Sequence, residues 1–269
     1  VPAEAPGNGV WAADGAGRGA ALDILVAEDN AINQQLIVAL LRKWGHDITV
    51  VETGLSAVSA AAGHDFDIVL MDIQMPGMSG IEAATRIRKL HGRRGAVPII
   101  ALTAHVLAGV REEVLAAGIQ DHVMKPIDPV ELALAINRLT LKPAVSPAPS
   151  AQPDPNKLSG LDEAALARLE KQIGREMVAE LADMLLEQTP PKIAGIHDAL
   201  QAGDTSAARQ LAHEIGSTAG NLGMIGVSAL TRELERSYSD GKFDAMPALA
   251  AKIDAAYSAA AKPLKSRYS

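Results

Sequence analysis

Between Asp23 and Leu141, short apolar runs alternate with segments of helical period, and this alternation limits the possible folds more than any other feature. The runs are "DILVAE", "DITVVE", "FDIVLMD", "VPIIALTA" and "IQDHVMK". Helical segments are expected between and after them, at 31–44, 54–62, 80–90, 106–117 and 129–139. A short run rich in Val, Ile and Leu suits a strand buried on both faces, and the helices between such runs supply the cover. The pattern therefore predicts a parallel five-stranded sheet in an α/β unit. Local signals agree. Ser79 with Glu82, and Asp128 with Glu131, form possible capping boxes, and Pro129 takes the first helical position.

Beyond this unit the pattern changes. "KPAVSPAPSAQPDPNK" holds five prolines between Pro143 and Pro155 and few large apolar residues. It reads as a semi-extended spacer, long enough to cover roughly 55 Å. From Leu161 no strand pattern remains. Helices are expected at 162–172, 175–202, 205–222, 226–240 and 245–262, with Pro190–Pro191 kinking or dividing the second. "QAGD" at 201–204 reads as a helix-ending glycine followed by an aspartate N-cap. Four longer helices with a short one leading in predict a bundle. Residues 1–20, rich in Gly and Ala, read as a lead-in. The expected division is thus lead-in 1–20, α/β unit 21–141, spacer 142–159 and helical bundle 160–264.

Composition narrows the possible functions. The 269 residues carry a formal charge of −7, which argues against direct nucleic-acid binding. The chain has no cysteine, which excludes disulfides and thiol chemistry. No apolar run approaches the roughly 20 residues of a membrane span. Because the first residue is Val1, the chain reads as a piece of a longer protein. No membrane contact is expected of the piece itself, and a cytoplasmic location is.

In an open parallel sheet the chemistry lies beyond the carboxyl ends of the strands. Five functional side chains fall there: Glu28 and Asp29 after the first strand, Asp72 at the end of the third, Thr103 after the fourth and Lys125 after the fifth. Clustered carboxylates repel one another and favour a bound dication. All-oxygen donors suit Mg²⁺, or Mn²⁺ in its place. A carboxylate beside such an ion can act as a nucleophile toward phosphorus, while a hydroxyl and an ammonium hold the remaining phosphoryl oxygens.

"LVAEDNAINQ", "DIVLMDIQMPGMSGIEAATRIR", "PIIALTA" and "HVMKPI" resemble the receiver domain of two-component signalling over residues 22–141. The resemblance implies a flavodoxin-like (βα)5 fold, with Asp72 as phosphoryl acceptor. It implies Mg²⁺ bound by Asp29, Asp72 and the main-chain carbonyl of Gln74, with Glu28 acting through water. Thr103 and Lys125 would hold the phosphoryl group. Receivers often carry an aromatic switch residue three positions before the lysine, where this chain has His122.

In the helical part, "LAHEIGSTAGNLGM" places His213 about 200° round the helix from Leu211, on the face opposite the stripe of Leu211, Ile215, Ala219 and Leu222. Ser217 and Gly220 share the His213 face and Gly216 lies beside them. The expectation is an imidazole standing in solvent on a surface of small residues, open to a partner's backbone. An exposed imidazole titrates near neutrality and carries phosphoryl groups well. "AHEIGSTAGNLGM" resembles the active helix of histidine-phosphotransfer domains, which implies a four-helix bundle with His213 as the phosphohistidine. That family usually carries Lys three residues after the histidine. Here the place holds Gly216, and Arg209, one turn before His213, is the candidate substitute.

His197 lacks the small-residue surround. His46, His64, His91 and His105 read as loop or helix-surface residues. No kinase glycine box or P-loop is present, so any ATP chemistry belongs elsewhere. The reading is a phosphorelay piece of a hybrid sensor histidine kinase, served by an upstream histidine kinase domain and serving a downstream response-regulator receiver. The competing readings are a switch whose helical module no longer transfers, and a metal-dependent phosphatase. The second is disfavoured because Gln74 stands where such enzymes place a second acid.

Overall fold

The computed structural model describes residues 21–104, 108–140 and 160–269. His105, the lead-in 1–20 and the spacer 142–159 lie outside these residues. The chain divides into two compact units, one on each side of the Ser150–Ala151 junction.

The first unit contains β1 (Asp23–Ala27), β2 (Asp47–Val51), β3 (Ile68–Asp72), β4 (Ile99–Thr103) and β5 (Asp121–Met124), all parallel, in the order β2-β1-β3-β4-β5. The helices are α1 (Ala31–Lys43), α2 (Gly54–Gly63), α3 (Gly80–Ile87), the single turn α4 (Arg93–Ala96), α5 (Ala108–Ala116) and α6 (Pro129–Thr140). β3 is buried along its whole length, as a central strand covered on both faces must be. Alternate residues serve the two faces. Leu25, Val69 and Met71 meet Ala57, Ala61, Ala84 and Ile87 of α2 and α3. Strand order reverses between β1 and β3, so a crevice opens beyond their carboxyl ends. Gly80 closes one wall of it. A Cβ on Gly80 would come within 2.0 Å of the Asp72 carbonyl oxygen, so only glycine lets α3 start so close to β3.

Both N-cap side chains are used as expected. Asp128 Oδ1 accepts from the N–H groups of Val130 and Glu131. Ser79 Oγ accepts from the Glu82 N–H at 3.2 Å, while the Glu82 carboxylate pairs with Arg86.

The second unit contains α7 (Glu163–Ile173), α8 (Arg175–Gln201), α9 (Thr205–Asn221), α10 (Ile225–Ser239), a 3-10 turn (Phe243–Ala245) and α11 (Met246–Tyr268). Two expectations need correction. α8 runs through Pro190–Pro191 without dividing. Pro190 has no N–H for the Leu186 carbonyl four residues earlier, and the Tyr257 hydroxyl of α11 donates to that oxygen instead, at 3.2 Å. α11 also continues past residue 262, the expected end of the helix, because its last turn is anchored. Arg267 pairs with Glu170 and Glu163 of α7, and Tyr268 donates to Glu170 at 2.8 Å. As read from "QAGD", Gly203 takes φ +77° and Asp204 caps α9 through the Ala207 N–H.

His46 is a further correction: it is 5% exposed rather than a surface residue. It sits in the turn from α1 to β2, where its Nδ1 accepts from the Leu22 N–H at 3.2 Å. Burial lowers its pKa to about 4, with Asp47 opposing the shift. The folded form therefore disfavours the proton that the unfolded chain binds below pH 6.5. This stabilisation is complete above pH 6.5 and is lost as pH falls toward about 4, by up to about 3 kcal/mol. His46→Asn keeps an acceptor but does not titrate. Urea unfolding of both proteins at pH 7 and pH 4.5 is expected to show a smaller acid-side loss in the variant.

Candidate functional site

The first two strands of the crevice bring the acidic residues together. Glu28 and Asp29 follow β1, and Asp72 is the last residue of β3. Carboxylate oxygens from the three lie within 4.8 Å of one another. Glu28 and Asp72 are buried, and Asp29 is half-buried. Lys125, just beyond β5, lies between the two buried acids. Its Nζ donates to Asp72 Oδ2 at 2.6 Å and to Glu28 Oε2 at 2.7 Å. The other oxygen of each acid is also engaged. Asp72 Oδ1 accepts from the Gln74 N–H at 2.9 Å, and Glu28 Oε1 accepts from Asn33 Nδ2 at 2.9 Å. Asn30 caps α1 through Oδ1 and so fixes the turn that presents Asp29.

Burial pushes the Glu28 carboxyl above its usual range, Lys125 pulls it back and Asp72 adds to the rise. Burial alone would lower the Lys125 ammonium. The Asp72 and Glu28 carboxylates outweigh it and hold that group above the ordinary lysine value. Three carboxylates against one ammonium leave excess negative charge in a largely desolvated crevice. The donors are all oxygen, which fits a hard divalent cation held by Asp29 and Asp72 with Glu28 beside them. Thr103 ends β4, next to this group, and its carbonyl accepts from the Lys125 N–H at 2.7 Å.

The second candidate lies between α9 and α10, which pack antiparallel in three rungs. Arg209 meets Tyr238, with the guanidinium carbon 5.3 Å from the ring centre. His213 meets Glu235, Nδ1 to Oε2, at 3.0 Å. Gly216 meets Thr231. The expectation of a histidine standing in solvent is corrected here. Its side chain is only 12% exposed, and Gly216, Ser217 and Gly220 are buried. The small residues let α10 approach closely and are not an open platform. A Cβ on Gly216 would lie 2.2 Å from Thr231 Oγ1.

Within the pair, the Glu235 carboxylate accepts and His213 Nδ1 donates, which orients the ring with Nε2 on its far side. Glu235 escaped the sequence reading because it lies on another helix, 22 residues from the histidine. Its one signal was an acid on the face where Leu234 and Thr231 are also buried.

Residues 24–137 match the response regulator receiver domain, and residues 180–262 match the Hpt domain. The chain is a receiver domain followed by an Hpt domain. It is 32% identical over 194 residues to the sensor protein GacS of Pseudomonas syringae pv. syringae, covering 71% of this chain and 21% of that protein. It is 30% identical over 218 residues to the sensor histidine kinase AruS of Pseudomonas aeruginosa, covering 80% and 21% respectively. The chain thus spans about a fifth of the length of these relatives. One solved structure is the receiver domain of a Pseudomonas aeruginosa sensor histidine kinase with a magnesium ion in its active-site cleft. It is 40% identical, covers 45% of this chain and 98% of that one, and has a TM-score of 0.42. Receiver and Hpt domains are the components of phosphorelay signalling.

In the receiver, His122 lies half-buried on the edge strand β5, paired in register with Ala101 of β4. In the Hpt domain, the guanidinium of Arg209 is spent on Tyr238, and its buried Nε has no hydrogen-bond partner. His197 is half-buried on α8. No helix among the described residues is long and apolar enough to cross a membrane.

The rung at Gly216 sets a packing test. Gly216→Ala puts a methyl group against Thr231, which is itself fully buried and hydrogen-bonded to the Ser228 carbonyl. Overpacking of this kind costs about 1–3 kcal/mol. Thermal unfolding followed by circular dichroism is expected to show a lowered midpoint, and Gly216→Lys, which restores the family's lysine, should be lower still.

Proposed function

We propose that Asp72 accepts a phosphoryl group and exchanges it with an imidazole, that His213 is the phosphocarrier of the Hpt domain, and that Mg²⁺ serves the receiver. The observation that carries this reading is the Asp72 carboxylate at the β1–β3 crevice, with Lys125 at 2.6 Å and two further acids beside it. The ion, held by Asp29, Asp72 and the Gln74 carbonyl with Glu28 beside them, would supply positive charge to phosphoryl oxygens. Lys125 and Thr103 bind the remaining oxygens, and Lys125 orients Asp72.

The step balances without an outside reductant or acid. The Nε2 lone pair of His213 forms the P–N bond. The acyl P–O bond breaks, its electron pair returning to the aspartate carboxylate. The Nδ1 proton stays on the ring, facing Glu235, which offsets the charge that develops there. The reverse step regenerates the acyl phosphate on Asp72 or on the aspartate of a downstream receiver. An upstream histidine kinase domain supplies the phosphoryl group. The relatives support reading the chain as part of a hybrid sensor kinase; the proposal sets it on the cytoplasmic side, with residues 21–141 as receiver, 142–159 as spacer and 160–264 as the transfer domain. The spacer keeps both sites in one molecule at high effective concentration. No observation favours a module that has lost transfer, since Gly216, the best sequence argument for it, has a packing reason.

The test uses the whole chain with a small acyl phosphate and Mg²⁺, followed by mapping of base-labile aspartyl phosphate and base-stable phosphohistidine. Asp72 and His213 are both expected to carry label. Asp72→Asn removes both labels and His213→Gln removes only the second. Label on neither residue in the unsubstituted chain overturns the reading. Glu235→Ala is expected to slow labelling of His213 about tenfold while leaving Asp72 labelled, because the ring loses the partner that fixes its tautomer.

A further inference from the structure

Phosphorylation of His213 brings close to two negative charges to a place that already holds a buried carboxylate, Glu235. Such a group needs a nearby cation, and the position three residues after the histidine that usually supplies one is here Gly216. Four basic side chains on the elements packed around α9 are candidates. Lys192 of α8 is paired with Glu214 at 2.9 Å. Arg209 lies over the Tyr238 ring, one rung toward the start of α9. Arg236 is exposed on α10. Arg232 is different. It is half-buried on α10 one turn before Glu235, and its Nη2 donates to Ser228 Oγ at 3.1 Å. Ser228 and Thr231 are the residues that face Gly216, with the Ser228 carbonyl 3.9 Å and Thr231 Oγ1 2.2 Å from where its Cβ would be. So the Arg232 guanidinium is tied to Ser228, one of the two residues facing Gly216, and lies within electrostatic reach of Glu235. Burial also weakens its hold on the proton, with Glu235 opposing, so the structure keeps a cation in a place that disfavours charge.

We propose that Arg232 supplies, from α10, the positive charge that stabilises the phosphoryl group on His213. The proposal rests on the reading of His213 as phosphocarrier. The charge has moved from one helix of the pair to the other. Gly216 follows from the exchange: with no side chain of its own there, α9 lets Thr231 close over the rung. The guanidinium offers paired N–H donors to phosphoryl oxygens, which suits a planar fork better than a flexible ammonium.

The experiment uses the whole chain carrying Asp72→Asn, so that no phosphoryl group drains to the receiver, with phosphoramidate as a direct donor to histidine. The titration midpoint of the phosphoryl group on His213 is followed by phosphorus NMR, alongside the rate of labelling. A neighbouring cation lowers that midpoint. Arg232→Ala is expected to raise it by about one pH unit and to slow labelling about tenfold. Arg232→Lys is expected to recover most of both, which a purely structural role would not produce. An unchanged midpoint in folded Arg232→Ala overturns the proposal, as does a rise in Arg209→Ala in its place. If Arg232→Ala fails to fold, an Arg232→Lys midpoint equal to that of Arg232→Gln overturns it too. Absence of label on His213 in the Asp72→Asn parent overturns the phosphocarrier reading itself and is distinguishable from all of these.

Discussion

An ammonium shared between two buried carboxylates is the constraint from which the rest of the receiver follows. Lys125 reaches Glu28 and Asp72 only because β1 and β3 are neighbours and β5 ends at the same rim. Removing one partner from such a group leaves an uncompensated buried charge, at a cost of about 3–5 kcal/mol. Fold and chemistry are therefore tied together. Register errors in β3 or β5 would strand a charge in the interior. The group is also incompletely balanced, with three acids to one base. That imbalance makes the crevice receptive to a cation.

The Hpt domain meets the same difficulty at a smaller scale. A carboxylate, Glu235, is held in the α9–α10 interface against one nitrogen of His213. It fixes the orientation of the ring and sets a negative charge beside it. The three rungs of this interface carry the work in order: an aromatic ring under Arg209, an acid against His213, and a bare glycine where the two helices come closest. Tyr257 and Arg267 hold the outer helices, the first by meeting the carbonyl that Pro190 leaves open and the second by clasping α7.

Much of the receiver is legible in the sequence, because its central strands β1, β3 and β4 are buried on both faces and announce themselves as unbroken apolar runs. The rim residues follow from knowing which end of each strand carries chemistry, and all five lie where that rule puts them. His46 was misjudged since a histidine beside a turn glycine carries no mark of burial. The Hpt helix was misread for a different reason. Helical periodicity separates faces by contrast between large and small side chains. In "IGSTAGN" nearly every residue is small, so there is no contrast, and the helix is buried on almost every side. The matching Ser228 and Thr231 on α10 were the available clue, visible only when two helices are considered together. Glu235 and Arg232 were illegible in the same way, as ordinary charges on a helix whose partner face was unknown.

The account stands or falls on whether the acidic crevice is short of positive charge. Calorimetric titration of the whole chain with Mg²⁺ measures this directly. A single saturable site is expected, lost in Asp29→Asn and with no change in the unfolding of the Hpt unit. Saturable binding that survives Asp29→Asn, or no binding to the unsubstituted chain, would contradict it.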